Sequence, residues 1–524
     1  MSINSITNSG FASYSLNQSF HAMQTKEKIK RIAVLILFVG LAIASFVVAH
    51  PLAIIAGVLL TIAALRAALV AKGVWNRYPP TQNLFSTETL QRITPLSTRC
   101  DGQYDGFATL DGKETHAWRL KLIREAKRSI VYSASYMGGS ALREMLTVIE
   151  EELAKKEALT VALSGSSPFL TGENRQQLRA IQERFGERFI FIESPDKQLY
   201  HSPATQRLSL VTNHVRALVI DGGNYFMTGG SGVTPQWSEE TGLTTPEGSH
   251  TKGRISRMIG IKGYRDADFI FHSPHERGIG TRLHVETLKL MSRYGTLPAC
   301  HLQCESTPSQ FNPGWAEELG ERLARDLALT LYATGPDTQN NPYFADLTAA
   351  IARAQSSVFL AQMHFDPPRR LTEALEQQIA QGHSVTLLTN TAKSKVSPVV
   401  HHLYAPRAAR RWTALFHGQS NPNIKIHLFD KPAGVTMHKK VTIVDESTTF
   451  VGTSNWGKIS EKYDYEVNLR VQSKAFARTV TATLQPDIEL STRIQDKDAF
   501  RLSWKDRLKS VFIRYVLKPL HLIG

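Results

Sequence analysis

A chain of 524 residues has room for several domains, and 42% hydrophobic residues are enough to fill sizeable cores. Three cysteines, Cys100, Cys300 and Cys304, exclude a closed disulfide framework and point to a reducing environment. The net charge of +15, from 61 basic and 46 acidic residues, suits a surface that meets an anionic bilayer or a nucleic acid.

Residues 1–31 form a polar leader, rich in Ser, Asn, Gln and Thr and poor in charge as far as residue 25, and disorder is expected there. Ile32 to Ala49 is an uninterrupted apolar run, His50-Pro51 breaks it, and a second lobe runs from Leu52 to Leu65 and past Arg66 to Ala71. At about 1.5 Å per helical residue each lobe approaches the roughly 30 Å of a bilayer core, so a membrane hairpin is expected over 32–72. Lys26, Lys28, Lys30 and Arg31 precede it, and Lys72 and Arg77 follow it, which places both ends on one side, the cytosolic one. A cleaved signal peptide, with small residues around Ala42 to Ser45, is the alternative, and the immediate second lobe argues against it.

Beyond the hairpin, apolar runs such as Ser384 to Leu388 and Val441 to Val444 alternate with helical patterns such as Leu142 to Lys155 and Leu371 to Ala380. This predicts an α/β fold of sheets flanked by helices. The pattern is duplicated, with halves over 85–300 and 310–497. Ile123 to Val131 parallels Ile351 to Phe359, a helix end leading into a strand, and Ile130 and Val358 stand 228 apart. The chemistry-bearing segments follow at nearly the same spacing, 224: His214-Val215-Arg216 with Asp221, and His438-Lys439-Lys440 with Asp445. Each runs on to a small-residue turn, Gly229-Gly230-Ser231-Gly232 in one and Gly452-Thr453-Ser454-Asn455 in the other. Further on, Tyr264-Arg265-Asp266 parallels Asp464-Tyr465-Glu466. Such a repeat is the mark of an internal duplication.

In an extended strand His438 and Lys440 project to the same side. An imidazole can attack phosphorus or shuttle a proton, an ammonium two residues on can neutralise phosphate oxygens, and Asn455 adds a hydrogen-bond donor. This HxKxxxxD…GxxN pattern resembles the phospholipase D superfamily, with Arg216 in place of lysine in the first copy. The resemblance implies two phospholipase D-like domains related by a pseudo-twofold, and His214 and His438 on opposite sides of one phosphodiester. His214 would be the nucleophile that forms a phosphohistidine and His438 the general acid, although the sequence alone does not order them. Lys440, Arg216, Asn455 and Ser231 would hold the phosphate. An acidic residue after each motif, Asp266 and Glu466, would fix an imidazole through Nδ1, and Asp221 and Asp445 would brace the motifs. The paired cations leave no task for a metal or other cofactor. Cys300-His301-x-x-Cys304 has half the ligands of a zinc site without a second pair.

The first copy departs from the pattern. A planar guanidinium is not equivalent to a compact ammonium at a tight phosphate site, and Gly232 stands where Asn455 stands, so the first half is expected to be weakened. Pro235 to Lys262 is an insertion relative to the second half, a lid or a disordered loop.

From Phe500 to Ile523, Leu508, Val511, Phe512, Tyr515 and Val516 recur at helical spacing among Arg507, Lys509, Arg514 and Lys518, which reads as an interfacial amphipathic helix over 498–524 or a helix docked on the second half. The leader and hairpin together look like the inclusion-membrane proteins of obligate intracellular bacteria, though a bacterial inner-membrane enzyme would carry much the same hairpin. The resulting expectation is a membrane-anchored phosphodiesterase that cleaves or transfers phosphatidyl groups, with the phospholipid membrane as partner. Alternatives are a nuclease-type phosphodiesterase and a non-enzymatic effector that binds anionic lipid. No aromatic-studded basic stripe favours nucleic acid.

Overall fold

The computed structural model describes residues 99–494 apart from 239–262, 391–421 and a few short stretches, together with isolated positions before residue 99 and Trp504. Among the described residues the first half supplies strands β1 (Arg99–Ala108), β2 (Ser129–Ala134), β3 (Thr160–Ser166), β4 (Phe189–Ser194), β5 (Gln198–His201), β6 (Leu208–Val211), β7 (Arg216–Ile220), β8 (Tyr225–Gly229), β9 (Gly263–Arg265) and β10 (Asp268–His272). The second half supplies β11 (Ala324–Thr334), β12 (Ser357–Gln362), β13 (Ser384–Asn390), β14 (Ile424–Phe429), β15 (Val435–Met437), β16 (Lys440–Val444), β17 (Thr448–Gly452), β18 (Glu466–Gln472) and β19 (Ser491–Ile494). The helices are α1 (Gly112–Glu125), α2 (Gly139–Lys155), α3 (Gly172–Phe185), α4 (Pro235–Ser238), α5 (Ile279–Met291), α6 (Pro313–Leu319), α7 (Pro342–Ala352), α8 (Arg369–Ala380), α9 (Lys458–Lys462) and α10 (Lys474–Glu489).

Fifteen strands join into one sheet, ordered β19-β14-β13-β12-β16-β17-β18-β11-β1-β10-β8-β7-β2-β3-β4. From the β11–β1 seam outward the two halves run through corresponding strands, the duplication read from the sequence. Separate sheets are not what forms. β1 and β11 pair antiparallel, Cys100 with Leu329 and Gly106 with Ala324, and fuse the halves edge to edge. This pairing covers two edges that separate sheets would have exposed.

The inner strands read as continuous apolar runs because helices cover both faces. Every residue of β7, β8 and β16 is buried. On one face α5 and α10 pack across the seam, bringing Ile279, Leu283, Phe476 and Val480 against Phe271, Leu327 and Val467 of both halves. On the other face each half keeps its own core, with Trp118, Leu122 and Ile149 in the first and Phe344, Leu347 and Leu375 in the second. Side-chain caps fix the helix starts: Asp111 accepts from the Glu114 N–H, Thr171 and Asn174 form a capping box, and Ser473 accepts from the Phe476 N–H.

The hairpin expected over 32–72 lies, but for isolated helical positions, outside the described residues, as do the leader apart from Ile29 and the 498–524 helix apart from Trp504. Among the described residues no helix is long and apolar enough to cross a membrane.

Candidate active site

The two motif aspartates are built alike. Asp221 and Asp445 sit at φ 51° and 50°, in the left-handed region that aspartate tolerates. The Asp221 carboxylate accepts from the N–H groups of Lys127, Arg128 and Ser129. Asp445 accepts from Gln355, Ser356 and Ser357. Burial works against the Asp445 charge, yet these N–H bonds hold its carboxyl below the usual range. Each aspartate ties the turn after its motif strand to the helix-to-strand corner of its own half.

The histidines are held across the halves. The His214 N–H donates to the Tyr465 carbonyl at 3.1 Å, and the His438 N–H to the Arg265 carbonyl at 2.7 Å. The next residue in each case is the other half's acid. His214 Nδ1 lies 3.0 Å from both Glu466 oxygens, and His438 Nδ1 lies 2.6 Å from Asp266 Oδ2. Sequence order links each carboxylate to the motif before it, but the structure exchanges them, because β15 pairs with β9 and Asn213 bridges to Tyr465. Both imidazoles and both carboxylates are buried.

Lys440 shares the His438 side of β16, as alternation requires. Its Nζ donates to the His438 carbonyl at 2.7 Å and lies 2.9 Å from Nδ1 of that ring. Burial pulls this ammonium down to about 7 against the pull of Asp266. Burial also pushes Asp266 up to about 7, opposed by Lys440. Burial lowers His214 below its ordinary value, Glu466 opposes the shift, and Arg216 and Lys440 add to it. Because Arg216 and Lys440 act on His214 while Asp266 and Glu466 act on Lys440, the two motifs form one electrostatic cluster. A neutral His214 whose Nδ1–H is donated to Glu466 keeps its Nε2 lone pair, as a nucleophile requires.

The small-residue turns differ between the halves. Thr453 donates its hydroxyl to Glu466. At the matching position Gly230 leaves room for a carboxylate, since a Cβ there would stand 2.3 Å from Asp266 Oδ2. Asn455 donates its N–H to Ser460 at 3.1 Å, and its Oδ1 is buried with no hydrogen bond among the described residues. The Ser231 N–H donates to Asp268 at 3.0 Å. Arg216 is 2% exposed, and none of its three guanidinium nitrogens is hydrogen-bonded among the described residues.

Sequence reasoning missed the aromatic wall beside this arginine. The Trp237 ring stacks between Tyr136, at 5.4 Å, and Tyr264, at 3.9 Å, and both Trp237 and Tyr264 meet the His438 ring edge to face. Trp237 sits on α4, at the start of the insertion, where spacing gave no signal, and residues 239–262 beyond it lie outside the described residues. A buried pair, Arg119 with Asp268 at 3.6 Å, was missed too. At Cys300-His301, the His301 ring lies 2.7 Å from the Glu187 carbonyl. Cys304 is outside the described residues, and among the described ones no group of three or more His, Cys, Asp or Glu could hold a metal.

Comparison with known proteins agrees with this geometry. The family model for the cardiolipin synthase, phospholipase D-like domain matches residues 347–488. A probable cardiolipin synthase, YwiE, of Bacillus subtilis is 26% identical over 185 residues, 35% of this chain and 34% of that protein. Cardiolipin synthase 2 of Bacillus anthracis is 29% identical over 168 residues, 31% and 29% of the two chains. The chain thus spans about a third of the length of these relatives. The crystal structure of phosphatidylserine synthase from Haemophilus influenzae superimposes with a TM-score of 0.59 at 13% identity, over 83% of this chain and 99% of that one, a likeness of fold. Residues 347–488 thus match a phospholipase D-like domain, and with two HKD-type motifs interlocked at the seam of a duplicated sheet the chain is similar to the phospholipase D superfamily.

Proposed function

We propose that this protein is a phosphodiesterase of the phospholipase D type that hydrolyses or transfers the phosphatidyl groups of phospholipids. One observation carries the reading: each buried histidine is bonded through Nδ1 to the other half's carboxylate, with Lys440 and Arg216 beside them. In this reading His214 Nε2 attacks phosphorus, the bond from phosphorus to the leaving oxygen breaks, and His438 gives its proton to the departing alcohol. His438 then takes a proton from water or an acceptor alcohol, whose oxygen displaces His214 from phosphorus. Lys440, Arg216, Asn455 and Ser231 hold the non-bridging oxygens as charge develops on them. Asp266 and Glu466 orient the rings, and Asp221 and Asp445 hold the motif turns. The substrate class is supported by the printed names of the relatives and by the +15 charge. A membrane site for the reaction, with residues 32–72 as anchor and both halves on the cytosolic face, completes the proposal.

The test is to incubate the full chain with labelled phosphatidylcholine, phosphatidylglycerol, cardiolipin and single-stranded DNA, beside His438→Ala. Release or transfer of a lipid head group by wild type is expected, with a loss of at least a thousandfold in a folded His438→Ala protein. Cleavage of DNA alone would replace this reading by the nuclease one, and inactivity on every phosphodiester would leave the lipid-binding effector.

A further inference from the structure

The first half carries Gly232 where the second carries Asn455, and Arg216 where it carries Lys440, yet the residues around them are buried. We infer that Trp237 is a phosphate-binding residue of this site, its indole N–H supplying the neutral donor that Asn455 provides in the second half. The inference rests on the proposed phosphodiester site and adds a ligand to it.

Three observations converge on Trp237. A Cβ built at Gly232 would lie 3.0 Å from the Trp237 ring at Cε3 and 2.9 Å from the Tyr136 carbonyl, so the indole occupies the space that an asparagine side chain at 232 would need. Trp237 is 4% exposed, and its Nε1 is buried without a hydrogen-bond partner among the described residues. A ring there for packing alone would be better served by phenylalanine, because an unmet buried donor costs about 1–3 kcal/mol. Beside it stands a second unmet donor set, the three Arg216 nitrogens, with the guanidinium carbon 5.8 Å from the Trp237 ring and 5.3 Å from that of Tyr136. Aromatic faces and the fields of Asp266 and Asp268 make this buried cation tolerable while leaving its N–H groups unspent. An orphaned neutral donor whose ring meets His438, with an orphaned cationic donor set beside that ring, is what a phosphate monoanion requires. On this account Gly232, Trp237 and Arg216 form one compensated set, and Arg216→Lys alone weakens the site, since an ammonium loses both the fork and the ring contacts.

Binding of inorganic vanadate to the full chain, followed by calorimetry, tests this without needing turnover. Trp237→Phe keeps an aromatic ring between Tyr136 and Tyr264 and removes the N–H together with part of the indole, so Trp237→Phe is compared with Tyr136→Phe as a control for ring packing. Its vanadate affinity is expected to fall about ten- to a hundredfold, the worth of one hydrogen bond to an anion, and KM for lipid to rise more than kcat falls. Arg216→Lys is expected to lose affinity as well. Wild-type affinity in Trp237→Phe would overturn the inference. Should that variant fail to fold, the indole N–H band in resonance Raman spectra of wild type decides: a shift on adding vanadate supports the contact, and an unchanged band overturns it. Vanadate binding that depends on Trp237 in a protein inactive on every lipid would refute the proposed reaction and leave this site standing, whereas lipid turnover indifferent to Trp237→Phe would do the reverse.

Discussion

The sharpest conflict at the residue scale is the buried pair of Lys440 and Asp266. Burial lowers Lys440 to about 7 from 10.5. Between those values the unfolded chain binds the proton that the folded one has released, so the cost of burying the ammonium, complete below pH 7, is relieved as pH rises. The stability of wild type relative to Lys440→Met should therefore improve from pH 7 to pH 10, by an amount on the order of a few kcal/mol, in urea titrations across that range. A difference that stays constant with pH would mean that Lys440 keeps an ordinary pKa. On the proposed reading the same shift favours a phosphate: an anion beside Lys440 would restore the charge that burial removes, and binding above pH 7 would take up a proton.

At the scale of elements, the site hangs on how β15 and α10 meet the first half. Lys439 faces away from Lys440, and its ammonium lies 2.6 Å from Asp487 of α10, which also pairs with Arg265 next to Asp266. Lys439 is 1% exposed and the Asp487 side chain wholly buried, so removing the carboxylate strands two cations. Asp487→Ala is expected to cost about 3–5 kcal/mol in chemical denaturation and to lower turnover by misplacing Asp266 against His438. An effect under 1 kcal/mol would show that the pair is incidental. What was legible in the sequence divides at this scale. The duplication, the motif strands and helices such as α2 and α8 were readable, because their spacing and apolar runs are local. The exchange of Asp266 and Glu466 was not, because it depends on parallel pairing between residues about 170 and 250 apart, which no local pattern records. Trp237 escaped for a related reason: its meaning comes from the space over Gly232 and beside Arg216.

At the scale of the whole molecule, the proposed active site is made by two halves, with neither half complete. The seam between β1 and β11, the core that α5 and α10 share across it, and the exchanged carboxylates all bind each half to its partner's chemistry. On the proposed reading the fused sheet is a functional as well as a structural unit. The most direct test is to quench the full chain during turnover of phosphatidylglycerol labelled with radioactive phosphorus and to map the covalently held label by peptide analysis. The account predicts an acid-labile phosphohistidine on the peptide carrying His214 in wild type, lost from His438→Ala, where the departing alcohol lacks its acid, and absent from Glu466→Ala, although Glu466 belongs to the other half. Label on neither histidine, or label on His214 untouched by loss of Glu466, would contradict it.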